Sequence, residues 1–206
     1  MKKYLVLLLL TGYLSCQDQG CNAVSGGAES FVPVGQGVDI DAVVQQRGGV
    51  LLPNTCGIVA HEDIAEALEL TVQDLEITDS SPRDNNPTHR SCFFKWSDME
   101  LSNAGILFQA MRNPVGDEYP NYVELFIESK LTTGERGMEG DAVVFEPLEG
   151  LGDAGAYSAS EGKYFWRLRD KVIFSIAFNT THTPEQQYRI ARRLGYLITK
   201  NYIDGK

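Results

Sequence analysis

Histidine is scarce, cations are outnumbered, and beyond residue 14 there is no long hydrophobic run. The 206 residues hold three histidines, His61, His89 and His182, far apart in the chain and with no Cys-x-x-Cys spacing beside them. The usual ligand pattern of a zinc site is therefore missing. Lys and Arg number 18 against 28 Asp and Glu, a formal charge of −10. Such a surface favours solubility and repels phosphate backbones. Nucleic-acid binding needs a basic footprint. The only local one is Arg189, Arg192 and Arg193, which reads as the solvated face of a helix. No nucleic-acid partner is expected. Later apolar segments such as 172–178 are strand-sized and contain Ser175, well short of the roughly 20 residues a membrane-spanning helix needs.

Catalytic signatures are also lacking. No Gly-x-Ser-x-Gly elbow occurs, so the strand–turn–helix setting of a hydrolase nucleophile is not indicated. Gly150-Leu151-Gly152-Asp153 lacks the third glycine and following helix of a dinucleotide fingerprint. Asp79, Asp84, Asp98, Asp117 and Glu118 sit in loops without EF-hand spacing. His61-Glu62-Asp63 reads as a helix start, because neighbouring helical residues point in different directions. The expectation is no catalytic residue, no cofactor and no metal.

The one sustained apolar run stands at the start. Lys2 and Lys3 precede an eleven-residue stretch, 4–14, and Ser15 then leads into Cys16. A positive start, a short apolar core and a small residue form the layout of an export signal. Leu14-Ser15-Cys16 resembles the lipobox of bacterial lipoproteins, with Tyr13 where leucine is usual. The resemblance implies that residues 1–15 are a signal peptide and that Cys16 becomes the first mature residue. It also implies that Cys16 carries a diacylglyceryl anchor of palmitate type. Two acyl chains hold a protein stably on a membrane where one does not. The implied location is the cell envelope, lipid-anchored to a bacterial membrane and facing the periplasm or exterior. The competing reading is a secretory signal cleaved near Ser15, which leaves a soluble periplasmic protein.

Cys21, Cys56 and Cys92 remain. An oxidising compartment favours pairing. Cys56 is placed at the opening of a helix and Cys92 in a strand, so a Cys56–Cys92 disulfide is expected, with metal binding as its rival. Residues 16–49, which include Cys21, are rich in glycine with little apolar periodicity and read as a flexible tether. A short helix or strand over 38–46 is the exception.

Residues 50–206 read as one α+β domain. The pattern predicts a helix over 61–68, an irregular strand over 71–78, and strands over 91–96 and 104–111. A helix over 121–133, a short strand over 142–145 and a turn at 150–153 follow. Residues 163–169 and 172–178 alternate as a hairpin, with Tyr164, Trp166 and Leu168 inward and Phe165 on the outer side. The last helix starts at Thr183-Pro184-Glu185-Gln186, a capping box with proline in the first turn. Its apolar stripe is Tyr188, Ala191, Leu194, Gly195 and Ile198.

Cys56 with residues 64–68, Cys92 with Trp96, the 150–154 turn and the hairpin to Asn179 together resemble small bacterial lipoproteins with a PsbP-like α/β sandwich. The resemblance spans most of 51–202. It implies an antiparallel sheet covered by helices, but the fold alone does not supply a function; an accessory subunit of an envelope complex, where PsbP-type domains are found, is a third reading. The leader, the tether, the acidic surface and the missing catalytic set lead to a non-catalytic binding or accessory module. Its expected partners are the membrane, through the anchor, and an envelope protein. The alternative is a small-ligand carrier or hydrolase of unknown substrate.

Overall fold

The computed structural model describes residues 52–82, 88–115, 118–137, 140–169 and 171–205. The leader 1–15, the acceptor Cys16, the tether 16–49 with Cys21, and the loop acids Asp84 and Asp117 lie outside the described residues.

Alternation of apolar and polar residues produces strands, and nine are present among the described residues. They are β1 (Glu76–Asp79), β2 (His89–Lys95), β3 (Gly105–Arg112), β4 (Glu135–Arg136), β5 (Ala142–Val143), β6 (Glu146–Pro147), β7 (Ala154–Ser158), β8 (Lys163–Leu168) and β9 (Val172–Asn179). Seven form one sheet in the order β1-β2-β3-β9-β8-β7-β6, while β4 and β5 make a separate ribbon. Every neighbouring pair is antiparallel. Three α-helices accompany them among the described residues: α1 (His61–Ala67), α2 (Tyr122–Thr132) and α3 (Pro184–Ile203). The domain is thus an α+β fold with an antiparallel sheet covered by helices.

Side chains alternate across a strand, so each strand serves two faces. On one face Cys92, Phe94, Ile106, Phe108, Trp166, Phe174 and Ile176 pack with Ile64 and Leu68 near α1 and with Ile190, Leu194 and Ile198 of α3. On the other face Ala156, Phe165 and Ile173 pack with Phe145 and with Val123 and Ile127 of α2. The sheet lies between α1 with α3 and α2.

This layering corrects the expectation for Phe165. It is 8% exposed, with its ring centroid 5.6 Å from that of Phe126 and 5.7 Å from that of Phe145. Its strand is buried on both faces, and strands of that kind read as near-continuous apolar runs.

Three boundaries also differ. Cys56 does not open a helix. The Asn54 side chain accepts the Cys56 N–H at 3.1 Å and the Asn54 carbonyl accepts the Gly57 N–H at 3.1 Å. Such local bonding competes with helix formation, and α1 waits until His61. The expected strand over 71–78 begins as a 3-10 turn, Val72–Asp74, because the Asp74 carboxylate accepts both the N–H and the hydroxyl of Thr71, at 2.9 and 2.7 Å. Only Ala142–Val143 of 142–145 is strand, since Phe145 turns into the core beneath α2.

Two glycines are required by space. Gly152 has φ +60°, and a Cβ there would lie 2.2 Å from the Arg167 carbonyl oxygen. Gly195 lets α3 approach the sheet, since its Cβ would lie 2.6 Å from Leu151 Cδ1. The sheet margins are short. β1 has four residues with Glu76, Thr78 and Asp79 exposed, and β6 is Glu146–Pro147 alone.

Candidate functional site between α1 and α3

The site is built on α3. The Thr183 hydroxyl accepts the Gln186 N–H at 3.3 Å, and Gln186 Oε1 accepts the Thr183 N–H at 2.8 Å. This closes the expected capping box and fixes where the helix starts. The 3.6-residue period then buries Gln187, Ile190, Ala191, Leu194, Gly195 and Ile198. It leaves Arg189, Arg192, Arg193 and Tyr196 exposed.

Helix α1 runs beside α3 and is acidic. Glu62 and Asp63 occupy its first turn, Glu66 follows, and Glu69 stands just past its end with φ +59°. Arg193 reaches across to Glu66 at 2.8 Å. Both side chains are largely exposed, so the pair is screened and worth little in stability. It matters for shape. A hollow of about 340 Å³, lined by Ala67, Glu69, His182, Gln186, Arg189 and Ile190, has Arg193 as its remaining wall. A second, of about 410 Å³, shares Arg193 and is lined by Asp63, Leu151, Arg192, Tyr196 and Leu197. The three arginines are exposed, as expected of a solvated helix face, and they also line surface hollows. They form the walls of two hollows, opposite a row of carboxylates.

A third hollow, of about 330 Å³, opens around the first turns of α3 and shares Arg189. Tyr157 and Tyr188 line it with ring centroids 5.1 Å apart. Tyr164 stacks behind Tyr157 at 5.7 Å. Burial, and then the neighbouring Tyr157 and Tyr188, push the Tyr164 hydroxyl up to about 12. The Tyr157 hydroxyl donates to Glu146 at 2.8 Å, which raises its pKa, with burial adding to the effect.

Among the described residues four buried polar side-chain atoms lack a hydrogen-bond partner: Arg112 Nε, Tyr164 Oη, His182 Nδ1 and Gln187 Oε1. The last three gather at the start of α3. Buried polar atoms of this kind ordinarily find a protein or water partner.

The histidines do not converge. His61 Nε2 donates to the Cys56 carbonyl at 2.9 Å, His89 pairs with Gln109 at 3.2 Å, and His182 lines the first hollow. Among the described residues no group of three His, Cys, Asp or Glu side chains could hold a metal ion. Two of the acids expected in loops bond the turns that follow them: Asp79, which ends β1 rather than lying in a loop, accepts the Ser81 N–H at 2.9 Å, and Asp98 accepts those of Glu100 and Leu101 at 2.8 and 3.0 Å. Cys56 and Cys92 are joined in a disulfide, with Cα atoms 5.1 Å apart.

Sequence reasoning overlooked a half-buried charge cluster. Lys130 of α2 bonds Glu135 and sits 4.5 Å from the Phe126 ring centroid and 5.0 Å from that of Phe165. Lys163 of β8 bonds the other Glu135 oxygen at 2.8 Å. Burial pushes the Glu135 pKa up, but the hydrogen bonds and charges of Lys130 and Lys163 outweigh it and hold the carboxyl below its ordinary value. The only sequence signal was a lysine on the apolar face of a helix. Its ammonium is fully engaged, so the cluster pins α2 to the sheet and offers no open site.

No described helix is long and apolar enough to cross a membrane. No family model, curated protein or solved structure matches this chain.

Proposed function

We propose that this chain is a lipid-anchored protein of the bacterial cell envelope that works as a non-catalytic binding or accessory module. It meets an envelope protein partner through the outer side of α3. The observation that carries the reading is the concentration of Arg189, Arg192, Arg193, Tyr188 and Tyr196 around three adjoining hollows. Arginine and tyrosine are the residues most enriched at binding hot spots. The leader and Cys16 support the anchor. The helix–sheet–helix layering supports a PsbP-like sandwich as the finer description of the fold.

Two experiments test the proposal. Cells fed a clickable palmitate analogue label the wild-type chain, and Cys16→Ala removes the label. A variant that labels as strongly as wild type refutes the anchor. Affinity purification from solubilised membranes recovers a stoichiometric partner with the wild-type chain, and Arg189→Glu/Arg193→Glu loses it while thermal stability stays nearly constant. The same partner recovered in equal amount by the double variant removes α3 as the docking face.

A further inference from the structure

The hollow beside Glu69 and Arg189 has walls of opposite charge. On one side stands α1 with Glu66, and Glu69 just beyond its end; on the other stands α3 with Arg189 and Arg193. Glu66 and Arg193 bond each other. Glu69 and Arg189 have no ion-pair partner within 4 Å among the described residues. Glu185, one turn earlier on α3, has its carboxyl lowered first by hydrogen bonds at the helix start, with the charge of Arg189 a lesser cause. Two opposite charges thus face one space without being spent on each other.

The remaining lining combines apolar and polar groups. Ala67 and Ile190 give an apolar floor. Gln186 uses its carbonyl oxygen in the cap, and no bond among the described residues takes its amide N–H groups. His182 lines the hollow, and its buried Nδ1 has no partner. Glu69 holds a left-handed backbone conformation, φ +59°, which is uncommon for a residue with a Cβ. The volume of about 340 Å³ lies at the small end of ligand sites.

A simple anion would meet Glu66 and Glu69 on a chain of formal charge −10, and a simple cation would meet Arg189 and Arg193. A molecule carrying both charges satisfies both walls. We propose that this hollow binds a small zwitterion, a free α-amino acid or short peptide. Its carboxylate lies on Arg189 and its ammonium on Glu69, with Ala67 and Ile190 beneath its side chain. This inference rests on reading the α1–α3 side as the recognition face, and it is tested separately from partner capture.

Calorimetry on the detergent-solubilised full chain provides the test, with leucine, alanine and glycylleucine as probes. At least one binds saturably. N-acetylleucine, which lacks the ammonium, and leucinamide, which lacks the carboxylate, bind about tenfold more weakly or worse, as expected when one charged hydrogen bond is lost. Glu69→Gln and Arg189→Gln each weaken binding by a similar factor without moving the thermal midpoint. Absence of saturable binding by all three zwitterions overturns the inference, as does equal binding of N-acetylleucine, or binding unchanged in both variants. Partner capture that persists without zwitterion binding overturns the inference alone and leaves the proposed function standing.

Discussion

Opening the Cys56–Cys92 bridge lowers the unfolding free energy by about 3–4 kcal/mol, the value the chain-entropy relation gives for a loop of this length. The two cysteines lie 36 positions apart, so the reduced unfolded chain regains the freedom of that whole segment. The test pair is Cys56→Ser with Cys92→Ala. Alanine suits the second position because Cys92 is fully buried, and a serine hydroxyl there would be stranded. Urea unfolding with and without reductant reads the effect. An unchanged wild-type midpoint after complete reduction defeats the prediction. The damage is local at first. Helix α1 has seven residues and no side-chain cap, and such short helices do not persist alone. Apart from the bridge it is held by the burial of Ile64 and Leu68 and by the Asn201 side chain, which donates to the Ile58 carbonyl at 2.6 Å. Limited proteolysis after reduction therefore cuts first around 52–70, and the acidic wall of the candidate site goes with it.

Trp166→Ala costs about 3–5 kcal/mol, the range for truncating a buried aromatic. Trp166 is 0% exposed and stacks on Phe174 with centroids 5.7 Å apart. Its indole N–H donates to the Thr199 hydroxyl at 2.9 Å, tying β8 to the far half of α3. Gly152 and Gly195 both lie against it: a Cβ on either would come within 3.1 and 3.5 Å of the indole. The neighbourhood is shaped around this one ring and cannot collapse easily into the space it leaves. Trp166→Phe is the control. It keeps most of the apolar area and loses the hydrogen bond, so it falls well short of the alanine loss. Equilibrium unfolding followed by circular dichroism decides between them. A cost below about 1 kcal/mol for alanine would mean that the core closes over the gap.

These two residues show what the sequence makes readable. Trp166 stands in a strand whose period of two marks it as inward, and Thr183, Pro184 and Gln186 spell the start of α3 through bonds made within four residues. Such local chemistry survives translation into structure with little change. Phe165 was harder, because the alternation that places Trp166 inward assigns Phe165 outward unless a second layer covers that side. The second layer is α2, contributed by a distant part of the chain, although Ile173 in the neighbouring strand already hinted at it. The 3-10 turn at Val72–Asp74 hid behind residues with strand propensity, and Asp74 decided the matter through side-chain bonds. The candidate site was least legible. Glu69 and Arg189 come from opposite ends of the described chain, and neither looks unusual until α1 lies beside α3. Arg189, Arg192 and Arg193 were visible as a cluster, but their role as walls depends on the carboxylates facing them.

The two margins of the sheet bear on how copies behave when crowded. An open strand offers its backbone as a template for the next molecule, and stacking of that kind ends in fibres. Here one border is four residues long and carries Glu76 and Asp79, and the other stops at Pro147, whose ring nitrogen has no proton to give. A like-charged rim and a missing donor leave little for a neighbour to copy, so copies of this domain can be concentrated and still remain individuals.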